Sequence, residues 1–146
     1  MYFSSALDGG TNLDICMAEK TNAGYAKPVL LPEGINAMGY EDGPYIAPDE
    51  DFLIFESTRP GGIDGSHDLY ISFKNKKGDW GMPVNMGSKI NSGSMERFPR
   101  LSPDGKYLFF GSNRDQSAGK KGFDIYWIDA KVIDELRNDA TAKNGN

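Results

Sequence analysis

Residues 28–62 of this 146-residue chain recur 55 positions later as residues 83–117. Pro28-Val29, Ile35-Asn36, Glu41, Pro44, Pro48-Asp49, Leu53, Phe55, Ser57 and Arg59 return as Pro83-Val84, Ile90-Asn91, Glu96, Pro99, Pro103-Asp104, Leu108, Phe110, Ser112 and Arg114. These twelve identities in 35 aligned positions stand against about two expected from ordinary residue frequencies, so the chain is internally duplicated. Shorter matches extend the pattern. Phe3-Ser4-Ser5 aligns with Phe55-Glu56-Ser57 and Phe110-Gly111-Ser112, and Asp14-Ile15 aligns with Asp68-Leu69 and Asp124-Ile125. On this alignment the chain enters within one unit, completes a second and leaves within a third, as expected of a piece of a longer array.

Each unit reads as strands separated by turns. Proline presets the first turn position and Asp bonds the backbone ahead of it, so residues 48–51 and 103–106 are expected to be tight turns. Before each turn lies a Pro-led segment, residues 44–47 or 99–102, expected to open the unit. After it comes a run dense in aromatic and branched residues, 52–57 or 107–112, the composition of a strand covered on both faces. A Gly-rich connection leads to a third strand, 68–73 or 124–129. A turn at 75–79 then precedes Trp80 and a fourth segment around residues 83–86. Four short antiparallel strands per unit, repeated every 40–55 residues or so, are the signature of a β-propeller blade.

The reading is therefore all-β: a partial β-propeller of four-stranded antiparallel blades, one complete and two incomplete, with a short C-terminal helix. Blade remnants occupy about 1–42, the complete blade about 43–97 and the last blade about 98–129. Helical spacing appears only over residues 130–138, where Val132, Ile133 and Leu136 share a face. Residues 139–146 read as a polar tail. Fewer than three blades cannot close a ring and leave two open edges. The 146 residues alone are accordingly expected to associate through those edges or with further blades.

Composition narrows the partners. A net charge of −5 without clustered Lys and Arg argues against nucleic acid, whose phosphates require a basic face. No stretch approaches the ~20 apolar residues of a membrane-spanning helix, and no signal-peptide pattern precedes Tyr2. The single cysteine, Cys16, sits in an apolar stretch and reads as a small buried side chain.

Strand direction places Glu96, Arg114 and Asp124 at one end of a unit, and Glu41, Arg59 and Asp68 at the same end of the preceding one. An Arg fork between two carboxylates is a charge-assisted arrangement suited either to clamping the Gly-rich loop or to forming a polar rim for a ligand or partner. Repetition in each unit favours the clamp. Trp80, with Tyr25 in the matching place, reads as a buried aromatic at the blade edge. His67, the only histidine, cannot form a histidine-rich metal site, and no Gly-x-Ser-x-Gly elbow accompanies it. The Gly-rich residues 61–65 lack both a following helix and the spaced acids of a calcium loop. No catalytic residue, cofactor or metal is expected.

The run Pro99-Arg-Leu-Ser-Pro-Asp-Gly-Lys-Tyr-Leu-Phe-Phe-Gly-Ser-Asn-Arg114, followed by Asp124-Ile-Tyr126, resembles the Pro-Asp-type relatives of the WD-repeat propellers found in TolB-like proteins. The resemblance covers nearly all of residues 1–129. Unit two departs from it at Ala47 and Glu50, where the pattern has Ser and Gly, and unit one lacks the first hairpin turn. It implies a six- or seven-bladed parent located in the periplasm, at the outer membrane or outside the cell. Its implied role is non-catalytic binding or scaffolding in a bacterial envelope protein, with a protein or cell-wall-associated partner on the loop face. The alternative is the propeller portion of a prolyl-oligopeptidase-like hydrolase whose catalytic domain lies elsewhere. Loops 8–13, 60–67 and 115–122, where the copies differ, are the expected seat of partner specificity.

Overall fold

A computed structural model of the chain describes residues 1–7, 9–63, 67–115 and 122–144, with side chains as far as residue 141. It is built from antiparallel sheets. The first joins β1 (Tyr2–Ser5), β2 (Asp14–Met17) and β5 (Val29–Leu30), with a small hairpin of β3 (Lys20–Thr21) and β4 (Gly24–Tyr25) between the last two. The second is a four-stranded meander of β6 (Glu41–Ile46), β7 (Phe52–Ser57), β8 (Asp68–Phe73) and β9 (Val84–Asn85). β10 (Glu96–Leu101), β11 (Tyr107–Ser112) and β12 (Asp124–Asp129) form the third, and α1 (Lys131–Asn144) follows.

Alternation along β7 explains how the sheets join. Leu53 and Phe55 enter a core with Ile15, Leu31 and Ile35 of the first sheet and its exit segment. Phe52 and Ile54 point the other way, into a core with Leu108 and Phe110 of the third sheet. All six residues of β7 are buried, as the expected two-sided cover requires. β11 differs: only Leu108, Phe110 and Ser112 are buried, because its other face has no neighbouring sheet among the described residues.

The turns follow the repeat. Gly105 takes a left-handed φ of 72° at the point where the preceding unit places Glu50 at 58°. The Ser-to-Ala and Gly-to-Glu departures thus leave the turn geometry in place and force a branched-free but β-carbon-bearing residue into the conformation glycine favours. The Pro-led segments do not open their strands. β6 and β10 begin three residues earlier, at Glu41 and Glu96, and the pairing register slips between Asp42 and Tyr45 and between Arg97 and Arg100. These bulges accommodate Pro44 and Pro99, which cannot donate to a regular ladder.

The helix is longer than its apolar spacing suggests. Asp129 Oδ1 accepts the Lys131 amide at 2.9 Å near its start, Val132 and Ile133 enter the core between the second and third sheets, and the helix continues to Asn144. Ala140, Ala142 and Lys143 have high intrinsic helix preference, which carries the helix past the point where apolar periodicity stops. Only residues 145–146 of the expected tail lie outside the described residues. Among the described residues no helix is long and apolar enough to cross a membrane.

Candidate functional site

Antiparallel pairing sets Glu41 opposite Ser57 and Ser57 opposite Asp68, and likewise Glu96 opposite Ser112 and Ser112 opposite Asp124. All six candidate residues therefore lie at the corresponding ends of the two sheets. Arg59 and Arg114 stand two residues beyond β7 and β11, where the chain turns back over that end.

In the second sheet, Ser57 Oγ donates to Glu41 Oε1 at 2.7 Å and accepts Arg59 Nε at 3.0 Å. Arg59 Nη2 lies 3.4 Å from the same carboxylate oxygen, and the Ala37 amide donates to Glu41 Oε2 at 3.1 Å. In the third sheet Ser112 Oγ donates to Glu96 Oε1 at 2.7 Å and accepts Arg114 Nε at 2.9 Å, with Arg114 Nη2 3.1 Å from the carboxylate. Ser92 supplies both its amide, at 2.8 Å, and its hydroxyl, at 2.7 Å. Both glutamates are fully buried. A buried carboxylate is tolerable only with this density of donors.

Each guanidinium also rests on an aromatic pair. Arg59 lies 5.2 Å from the Phe55 ring and 4.9 Å from that of Tyr70, and Arg114 lies 5.5 Å from Phe110 and 4.8 Å from Tyr126. The rings within each pair are stacked. A planar, weakly hydrated guanidinium suits such a shelf better than an ammonium would.

The far end of each fork crosses to the preceding unit. Arg59 Nη2 donates to the Ile35 carbonyl at 2.5 Å and Nη1 to the Gly34 carbonyl at 3.2 Å; Arg114 Nη2 donates to the Ile90 carbonyl. Asn36 and Asn91, next in sequence, grip β2 and β8 of their own sheets. The Asn36 carboxamide accepts the Ile15 amide at 2.8 Å and donates to the Ile15 carbonyl at 3.0 Å; Asn91 does the same to Leu69 at 2.8 and 2.9 Å. The repeated Ile-Asn, Glu and Ser-x-Arg elements are thus one clamp, tying the exit of one sheet to the next.

Asp68 plays a different part from the second arm of a two-carboxylate fork. Asp68 Oδ2 accepts the Ile63 amide at 2.6 Å and Asn85 Nδ2 at 2.7 Å, fixing the connection into β8. Asp124 opens β12 in the equivalent position and is also engaged. The roles of Ser57, Ser112, Asn36 and Asn91 escape a reading limited to charged residues, although their recurrence at the 55-residue offset marks them.

A second polar cluster has no counterpart in the repeat. Glu56, fully buried on β7, receives Arg97 Nε at 2.5 Å from the third sheet, while Arg97 Nη2 lies 3.2 Å from Asp42. His67 Nδ1 is 3.5 Å from the same Glu56 oxygen. Burial pushes the Glu56 carboxyl above its ordinary value, against the opposing pull of Arg97 and His67. The other oxygen, Oε1, has no hydrogen-bond partner among the described residues. Gly111 occupies the Glu56 position in the third sheet, so this ion pair joins the second and third sheets alone.

Trp80 is half-buried, edge-on to Tyr2 at 6.4 Å and capped by Lys74 Nζ 4.8 Å from its ring. Tyr25, its sequence match, is instead exposed, because the β3–β4 hairpin carries it away from the core. The cysteine is buried, and burial raises its thiol pKa. No group of three or more metal-ligating side chains occurs among the described residues. Loops 8–13, 60–67 and 115–122 lie partly outside the described residues. No known protein-family model and no curated protein sequence matches the chain.

Proposed function

We propose that this chain is a segment of a β-propeller with Pro-Asp-type blades similar to those of TolB-like proteins. It serves as a non-catalytic binding or scaffolding module of a bacterial cell-envelope protein, in the periplasm, at the outer membrane or outside the cell. Its partner is a protein or a cell-wall-associated polymer, met on the loop face at the clamp end of the sheets. One observation carries this reading: the same Glu-Ser-Arg clamp occurs twice, with the same buried carboxylate, the same aromatic shelf and the same carbonyl target. A device copied sheet by sheet fits a scaffold better than a single reacting centre. Its residues are then unavailable as a rim for ligand, and recognition falls to the loops between second and third strands.

The test combines co-sedimentation of the purified chain with peptidoglycan sacculi and photo-cross-linking in envelope extracts from Pro60 and Phe123, which flank two of those loops. Retention or a discrete cross-linked product, lost when the flanking loop is replaced by Gly-Ser, supports the proposal. Turnover of peptide or ester reporters by the purified chain overturns its non-catalytic part, and absence of both retention and cross-links overturns the partner assignment.

A further inference from the structure

The turn between β6 and β7 carries a side chain that its repeat does without. Glu50 takes a left-handed φ of 58° where the third sheet has Gly105, and strain of this kind gathers at functional positions. Its carboxylate draws together three other groups at the end of the first joint opposite the clamp. Oε2 accepts the Tyr2 hydroxyl at 3.1 Å and lies 3.4 Å from Lys74 Nζ. Lys74 Nζ in turn stands over the Trp80 ring, which meets Tyr2 edge to face. Burial and the neighbouring carboxylate push the Tyr2 phenol up to about 12, so it remains a donor throughout the physiological range.

These four side chains line a cleft of about 530 Å³ between the first and second sheets, together with the exposed Glu19 and Lys20. A counterpart of about 620 Å³ between the second and third sheets has the turn before β7 in its wall, so a cleft of this kind stays open with a preceding turn in place. Its lining differs. Gly105 and Ala130 stand where the second sheet has Glu50 and Lys74, and α1 follows Ala130 in place of the hairpin that carries Trp80. The clamp is copied from joint to joint, as a scaffold requires, whereas the Tyr2, Glu50, Lys74 and Trp80 set is made once.

The volume is that of a small-molecule site. Two carboxylates and two ammonium groups cancel in the lining, which leaves no net charge to select an anion or a cation. What the cleft offers is ring surface beside closely spaced donors and acceptors. Both contacts of Glu50 use Oε2, so Oε1 has no protein donor among the described residues, and the Lys74 ammonium has hydrogens to spare. A saccharide has the matching two-sided character: C–H groups that pack on an electron-rich ring, and hydroxyls that both donate and accept.

We propose that this cleft binds a neutral saccharide, with Trp80 and Tyr2 as its ring walls and Glu50 and Lys74 as its hydroxyl-binding pair. The site lies at the turn end of the sheets, away from the clamp, and is separate from the loop-face partner proposed above.

The test follows Trp80 fluorescence in the whole chain carrying Trp127→Phe, which leaves one indole. Chitotriose, cellotriose and maltotriose are titrated to about 10 mM, the weak end of specific recognition. At least one should give a saturable change, weakened tenfold or more by Glu50→Gly and by Lys74→Met. Glu50→Gly should at the same time keep or raise the urea midpoint, since glycine suits the turn; a purely structural pin would lower it. If the midpoint does fall, Lys74→Met, whose unbranched stem can still cover Trp80, decides the case. Absence of a saturable change with all three sugars overturns the proposal. So does binding that both substitutions leave unchanged, or a tenfold preference for trilysine, which would make the cleft a cation site.

Discussion

Arg59 reaches out of the second sheet to the carbonyl of Ile35, 2.5 Å away in the segment that leaves the first. The same guanidinium remains tied to its own sheet through Ser57 and Glu41. One side chain thus spans a joint whose other contacts are largely apolar. Hydrophobic burial supplies most of the attraction across such a joint without fixing direction, whereas the fork, its carbonyls and the Asn36 carboxamide specify how the sheets sit together.

Replacing Arg59 by Ala leaves Glu41 buried without its cation and frees two carbonyls. The expected loss of stability is about 3 kcal/mol, typical of breaking a buried ion pair from one side. Arg114→Ala should cost less, about 2 kcal/mol, because its side chain is 27% exposed against 10% for Arg59. Urea unfolding measures both. If Arg114→Ala leaves stability unchanged while abolishing partner binding, the residue serves a ligand rim instead of a clamp.

Phe98 and Gly43 occupy the same place in the two bulges, with left-handed φ values of 56° and 57°. Phenylalanine bears a steric cost there that glycine avoids, so Phe98→Gly is expected to stabilise by about 0.5–1 kcal/mol even after losing the stack of Arg97 on its ring. Gly43→Ala should go the other way by about 2 kcal/mol, since a Cβ would sit 2.3 Å from Glu56 Oε1. Thermal melts of the two variants, moving in opposite directions, check the pair.

The strands were legible because their local signals agree. At 52–57, 68–73, 107–112 and 124–129 aromatic and branched runs are bounded by turn residues, and the strands fall at those positions. The 55-residue offset also located the clamp's end of each sheet. Its partners were harder to read: Arg59 and Arg114 bind main-chain carbonyls, which carry no side-chain signature, and Asp68 turns to the Ile63 amide for the same reason. The one-sided burial of β11 was invisible, because Tyr107 and Phe109 have the same character as the buried Phe52 and Ile54. The Glu56–Arg97 pair lies where the copies differ, so the repeat could not point to it.

Asn91 is buried and holds both main-chain groups of Leu69. Asn91→Ala strands that amide in the core and leaves the carbonyl with the Met86 amide alone, at an expected cost of about 2 kcal/mol. Hydrogen exchange gives the sharper reading. The Leu69 amide should lose protection by more than its neighbours in β8, because its acceptor is a side chain rather than a strand. A uniform loss along β8 would show that Asn91 contributes only to global stability.

Glu56 gives the protein a pH dependence opposite in sign to that of most paired carboxylates. Burial raises its folded-state pKa above the ordinary value of 4.5, although Arg97 and His67 favour the charged form and Asp42 opposes it. Above 4.5 and up to the raised value, the folded protein binds more of this proton than the unfolded chain does. Stability from this group is therefore fully present below 4.5 and falls as pH rises through the window. Glu56→Gln keeps an oxygen for Arg97 and removes the titration. Urea unfolding of Glu56→Gln and its parent, both in a His67→Asn background, should show the parent losing stability relative to the variant as pH rises above about 4.5. A parent that instead gains stability relative to the variant would mean that Arg97 outweighs burial and holds the carboxylate charged.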